Sequence, residues 1–159
     1  MSSCSKALML WGLIMAFFIS ACSDDKDDIY PEIDMSGEDA FPLNCSVVHP
    51  GETFTFRAVF TDNRELGAFS LEIHDNFDHH THSTDAMECE MEPEKKPVQP
   101  FHFIEDYDIP PGMTKYEAEV NIFVPDTVDA GDYHLMVRIS DVSGFTTIKG
   151  IAMKILAPE

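Results

Sequence analysis

The run Thr53-Phe-Thr-Phe-Arg-Ala-Val-Phe60 constrains the fold more than any other stretch of the chain. Phe54, Phe56, Ala58 and Phe60 fall on one side of an extended backbone, and Thr53, Thr55 and Arg57 on the other. A two-residue period places alternate side chains on opposite faces, so this strand buries one face and wets the other. The same period returns in Phe69, Leu71 and Ile73, and in Tyr116, Ala118, Val120, Ile122 and Val124. It recurs again in Tyr133, Leu135, Val137 and Ile139, and in Ile151, Met153 and Ile155. Turn residues separate these runs at Pro50-Gly51, Asp62-Asn63, Pro110-Pro111-Gly112 and residues 141–144. Shorter apolar runs at 43–48 and 101–104 bring the expected strands to about seven, all within residues 41–159. No stretch sustains a capped 3.6-residue period. At 159 residues the chain suits one core, and the expectation is an all-β, two-sheet sandwich.

The first forty residues read differently. Lys6 gives a basic start, an apolar run follows from Ala7 to Ile19, and Ser20 and Ala21 are small. Residues 1–21 therefore read as a secretory signal, since the apolar run is shorter than the roughly 20 residues that span a bilayer. Ile19-Ser20-Ala21-Cys22 resembles a bacterial lipobox, which implies cleavage before Cys22 and lipidation of that residue. The next six residues, Ser23-Asp-Asp-Lys-Asp-Asp28, resemble the acidic export tag of lipoproteins carried to the outer face of the Bacteroidota outer membrane. These resemblances imply an outer membrane lipoprotein, exposed at the cell surface and held to the membrane by lipid on Cys22. Residues 22–40, acidic and interrupted by Pro31 and Gly37, read as a flexible tether.

Loss of the signal removes one lysine and no carboxylate, so a formal charge of −19 becomes −20. Nucleic acid is excluded as a partner, because phosphate binding needs clustered Lys and Arg. The summed field favours cations instead. Cys4 leaves with the signal and Cys22 takes lipid, leaving Cys45 and Cys89. An even pair in an exported domain reads first as a disulfide; buried thiols, or a soft metal ligand at Cys89, are the alternatives.

Residues 72–85 hold four of the seven histidines, interleaved with carboxylates. With Phe69, Leu71 and Ile73 inward, His74 ends its strand on the outer face; with Tyr133 and Leu135 inward, His134 opens another strand on the outer face. Were these strands antiparallel neighbours, as in an immunoglobulin-like sandwich, His74 and His134 would meet across the sheet. His80 and His82, two apart in extended chain, would share a face in the long loop that follows, and His79 would point elsewhere. His74, His80, His82 and His134, with His79 less favourably placed, are the candidate metal ligands; Asp78 or Asp75 would be a ligand or orient a ring. Zinc or copper is the expected ion. The sulfurs of Met87, Cys89 and Met91 would tilt the choice to copper only if Cys89 were not paired. Calcium is a weaker fit: Asp62, Asp75, Asp78, Asp126, Asp132 and Asp141 lie near turns, but no run has EF-hand spacing.

Residues 125–144, in which Ala130-Gly131-Asp132-Tyr133 leads into a strand ending at Ser140-Asp141, resemble the penultimate strand and final hairpin of bacterial immunoglobulin-like and E-set domains. With the lipobox and the histidine run, the chain resembles a family of small Bacteroidota surface lipoproteins that constitutes a domain of unknown function. That resemblance implies an immunoglobulin-like sandwich over 41–159 but no activity. No Gly-x-Ser-x-Gly elbow is present, and a binding module rather than an enzyme is expected. Two readings follow: a surface-anchored module capturing a transition metal, or an adhesion or assembly module for protein or glycan in which the histidines are structural.

Overall fold

A computed structural model describes residues 27–80 and 89–158. Eight strands form two sheets: β1 (Glu32–Asp34), β2 (Ser46–Val48), β3 (Thr53–Thr61), β4 (Leu66–Asp75), β5 (Phe103–Asp108), β6 (Lys115–Phe123), β7 (Gly131–Asp141) and β8 (Thr146–Ile155). One sheet has the order β1-β3-β6 and the other β2-β8-β7-β4-β5. All neighbours are antiparallel except β2 and β8, which run parallel from Ser46↔Met153 to Val48↔Ile155. A first strand split between the sheets, with its second half parallel to the last strand, is an immunoglobulin-like arrangement.

The alternation seen in sequence explains the core. Phe54, Phe56, Ala58 and Phe60 of β3 are buried, and Phe60 meets Phe69 of the facing sheet at a ring-centroid distance of 5.1 Å. Leu71 and Ile73 of β4, Leu135, Val137 and Ile139 of β7, and Ile151, Met153 and Ile155 of β8 complete the packing. Truncating a fully enclosed ring such as Phe56 or Phe60 to alanine would cost about 3–5 kcal/mol.

Tyr133 fixes one end of the sandwich. Its hydroxyl donates to the Asp129 carbonyl at 2.6 Å and accepts from the Phe101 N–H at 3.2 Å. This is the tyrosine corner of immunoglobulin-like domains, in which the strand opening the last hairpin is pinned to its own lead-in.

Two expectations are corrected. Residues read as tether contribute β1, which pairs with β3 from Glu32↔Thr61 to Asp34↔Val59, and Met35 is buried in the core; the domain thus begins ahead of Phe41. The strand expected at 101–104 is β5, displaced to Phe103–Asp108. Its acidic outer residues break the apolar pattern while protecting a sheet edge from further pairing. The described residues hold eight strands where about seven were expected. The expected signal segment, residues 1–21, and the expected lipidation at Cys22 lie outside the described residues.

Candidate metal centre

β4 and β7 are antiparallel neighbours, and His74 stands directly opposite His134 in their register. Both side chains leave the outer face, because Ile73 and Leu135 occupy the core face beside them. Their ring centroids are 5.7 Å apart with planes at 85°.

The chain after β4 brings in the third ring. Asn76 N–H extends the ladder to the Asp132 carbonyl at 2.8 Å, and Phe77 is buried with its ring 5.2 Å from Tyr133. His79 N–H then returns to the Asn76 carbonyl at 3.2 Å, and His79 adopts a left-handed φ of 53°. That reversal lays His80 over the strand ends, 5.6 Å from His74 and nearly parallel to it, and 5.4 Å from His134. Gly131 makes room beside the turn: its φ is 144°, and a Cβ there would sit 2.8 Å from the Phe77 ring.

Each of His74, His80 and His134 offers a ring nitrogen, and these nitrogens lie within 4.8 Å of one another. Around a tetrahedral ion with metal–nitrogen distances near 2.0–2.1 Å, ligand nitrogens stand about 3.4 Å apart. Small ring rotations therefore close the set. The His80 Nδ1 lies 2.5 Å from Asp78 Oδ1, and the His74 Nδ1 makes an ion-pair contact of 3.3 Å with Glu72 Oε1. At His80 the carboxylate against Nδ1 holds the proton there and leaves Nε2 as the basic, ligating nitrogen. The hydrogen bond from His80 in turn holds the Asp78 carboxyl below its usual range, so it is ionised and suited to this orienting role.

The other candidates fall elsewhere. His79 turns away: its Nε2 is 2.9 Å from the Glu92 carbonyl and 3.8 Å from the Asp132 carboxylate, and its Nδ1 is 3.7 Å from the Glu94 carboxylate, so it braces the two limbs of the loop. Asp75 lies 3.9 Å from His102 Nε2 rather than in the cluster. His82 and Met87 lie outside the described residues, with the rest of 81–88. Cys45 and Cys89 are joined in a disulfide with Cα atoms 5.5 Å apart, which withdraws Cys89 from the set of soft ligands. Behind the centre, Lys154 bridges Glu92 at 2.8 Å and Asp132 at 3.5 Å. Burial pulls the Lys154 ammonium down, but Glu92 and Asp132 outweigh it and raise it, so the bridge stays charged.

Fold and site together define a small immunoglobulin-like β-sandwich module with three convergent imidazoles on one sheet face. The chain belongs to the DUF4625 family, a domain of unknown function, whose model matches residues 19–156. No curated protein matches it in sequence. Among solved structures it is similar to the ASH / PapD-like domain of human CEP192 (PapD-like domain 7). That match has a TM-score of 0.33 and 13% identity, over 89% of this chain and 97% of that one.

Proposed function

We propose that the protein is a surface-anchored lipoprotein module that captures a transition metal, zinc or copper, through His74, His80 and His134. One observation carries this reading: three imidazoles from two strand ends and a tight turn bring nitrogens within 4.8 Å of one another, two of them with carboxylates at Nδ1. Nitrogen donors suit zinc(II) and copper(II) alike, and with Cys89 in a disulfide no thiolate favours copper(I). Three protein ligands leave a coordination position for water, a ligand from a partner, or His82. Binding rather than catalysis is the role proposed, with the lipid on Cys22 holding the module to the outer membrane.

Calorimetric titration and elemental analysis of the soluble domain test this. The expected result is one zinc or copper ion per chain, lost when His74, His80 and His134 are replaced together by alanine. Affinity no tighter than about 1 mM in the wild-type protein would sink the proposal. Glycan or protein binding that survives the triple substitution would favour the adhesion reading instead.

A further inference from the structure

The pole opposite the histidines gathers three carboxylates from three separate segments. Asp62 follows β3, Asp141 closes β7, and Asp27 precedes β1 by five residues. Each contributes an oxygen, and these oxygens lie within 4.8 Å of one another. Asp141 is only 5% exposed and Asp27 6%.

The hydrogen bonding around them is incomplete in an informative way. Asp141 accepts the Phe145 N–H on Oδ1 at 2.8 Å, while its Oδ2 is buried with no hydrogen-bond partner. Asp62 repeats the pattern: Oδ2 accepts the Arg64 N–H at 2.7 Å, and Oδ1 is buried without a donor. Asp27 accepts from Ile29 N–H on Oδ1 at 3.3 Å and from the Ser143 hydroxyl on Oδ2 at 2.9 Å. Burial pushes the Asp27 carboxyl up, but the bonds from Ser143, Ile29 and Asn63 and the Arg64 charge together hold it below its usual range. No ion pair among the described residues involves any of the three. Two buried carboxylate oxygens without donors, Asp62 Oδ1 and Asp141 Oδ2, in a group of three clustered carboxylates are costly. A cation among them removes that cost.

We propose that Asp27, Asp62 and Asp141 form a calcium site that clasps the N-terminal segment onto the sandwich. The donors are all oxygen, which selects a hard cation over zinc or copper. Calcium–oxygen distances near 2.4 Å accommodate oxygens up to about 4.8 Å apart, and these three lie within that limit of one another; calcium also tolerates irregular, largely dehydrated coordination, whereas magnesium demands a near-ideal octahedron and retains its waters. Because Asp27 lies outside every strand, the ion joins a segment ahead of β1 to the β3–β4 and β7–β8 turns.

Thermal melts of the full chain in detergent, with EGTA and then with calcium or magnesium chloride up to about 10 mM, test the site. Calcium is expected to raise the melting temperature by several degrees and to protect the segment before β1 from limited proteolysis, with a smaller magnesium effect. Asp141→Asn keeps an acceptor for Phe145 and relieves repulsion, so in EGTA it should melt no lower than wild type and fail to respond to calcium. Asp27→Asn should behave in the same way and serves if Asp141→Asn folds poorly. The triple histidine variant should keep the full calcium response, which separates this site from the zinc or copper centre. No calcium-dependent shift in the wild type, or an equal shift in the Asn variants, would overturn the proposal.

Discussion

Replacing Tyr133 with phenylalanine isolates the hydroxyl of the tyrosine corner, because the ring keeps its place in the core and its edge contact with Phe77. The ring is 1% exposed, and its hydroxyl serves both the Phe101 N–H and the Asp129 carbonyl. Losing it strands a buried donor and an acceptor, at a cost of about 1–3 kcal/mol. For a domain of this size that corresponds to a melting temperature lower by roughly 5–10 °C. Urea denaturation should show the midpoint falling with an unchanged slope, since the surface exposed on unfolding is the same. An alkaline series gives an independent readout. Burial pushes the Tyr133 phenol up to about 12; the Phe101 N–H opposes this, and the Asp129 and Asp75 charges add to it. A folded-state value above the unfolded value of about 10 means that the contribution is complete below pH 10 and is lost as pH rises through 12. Wild type should therefore lose up to ~3 kcal/mol across that window that the Phe variant does not lose. A substitution costing less than about 0.5 kcal/mol, with parallel alkaline curves, would refute the assignment of Tyr133 as the pin.

Three further outcomes follow from the disulfide and from the geometry around the histidines. The Cys45–Cys89 bond spans 44 residues, and loop closure of that length stabilises the fold by about 4 kcal/mol in the chain-entropy treatment. Urea titration with and without a reductant should show a midpoint difference of that order. Reduction should also weaken metal binding, since Cys89 ties the far limb of the loop that begins at His80. Asp78→Asn removes the carboxylate that orients His80 and should weaken zinc affinity by about 10–100-fold while leaving stability nearly unchanged, which titration calorimetry and a thermal melt together would measure.

The sandwich was legible because each principal strand buries one face, so a period of two fixes which residues point inward. The same alternation, since Ile73 and Leu135 fix the parity of both strands, together with the immunoglobulin-like expectation that the strands are antiparallel neighbours, places His74 opposite His134 across sixty residues. His80 joins the cluster by a route the sequence does not display, and its expected partner His82 lies outside the described residues. A buried Phe77 and a left-handed His79 fold it back over the strand ends. That turn has no strong sequence signature beyond Asn76. Strand β1 escaped because three residues with Ile33 between two acids look like tether. Asp27 escaped for a related reason, since nothing in an acidic run distinguishes the one carboxylate that is buried.

Strand β7 joins the two candidate ion centres, with His134 near its start and Asp141 at its end. Seven residues of strand separate them by about 23 Å, so the molecule has a polarity along its long direction. Asp27 is five residues beyond Cys22, a reach of at most ~18 Å even when fully extended. If Cys22 carries the lipid proposed for it, the carboxylate pole would be moored close to the bilayer and the imidazoles would be carried on the distal end. An ion arriving from the surroundings would meet the histidines first, and a clasp at the near end would decide how upright they stand.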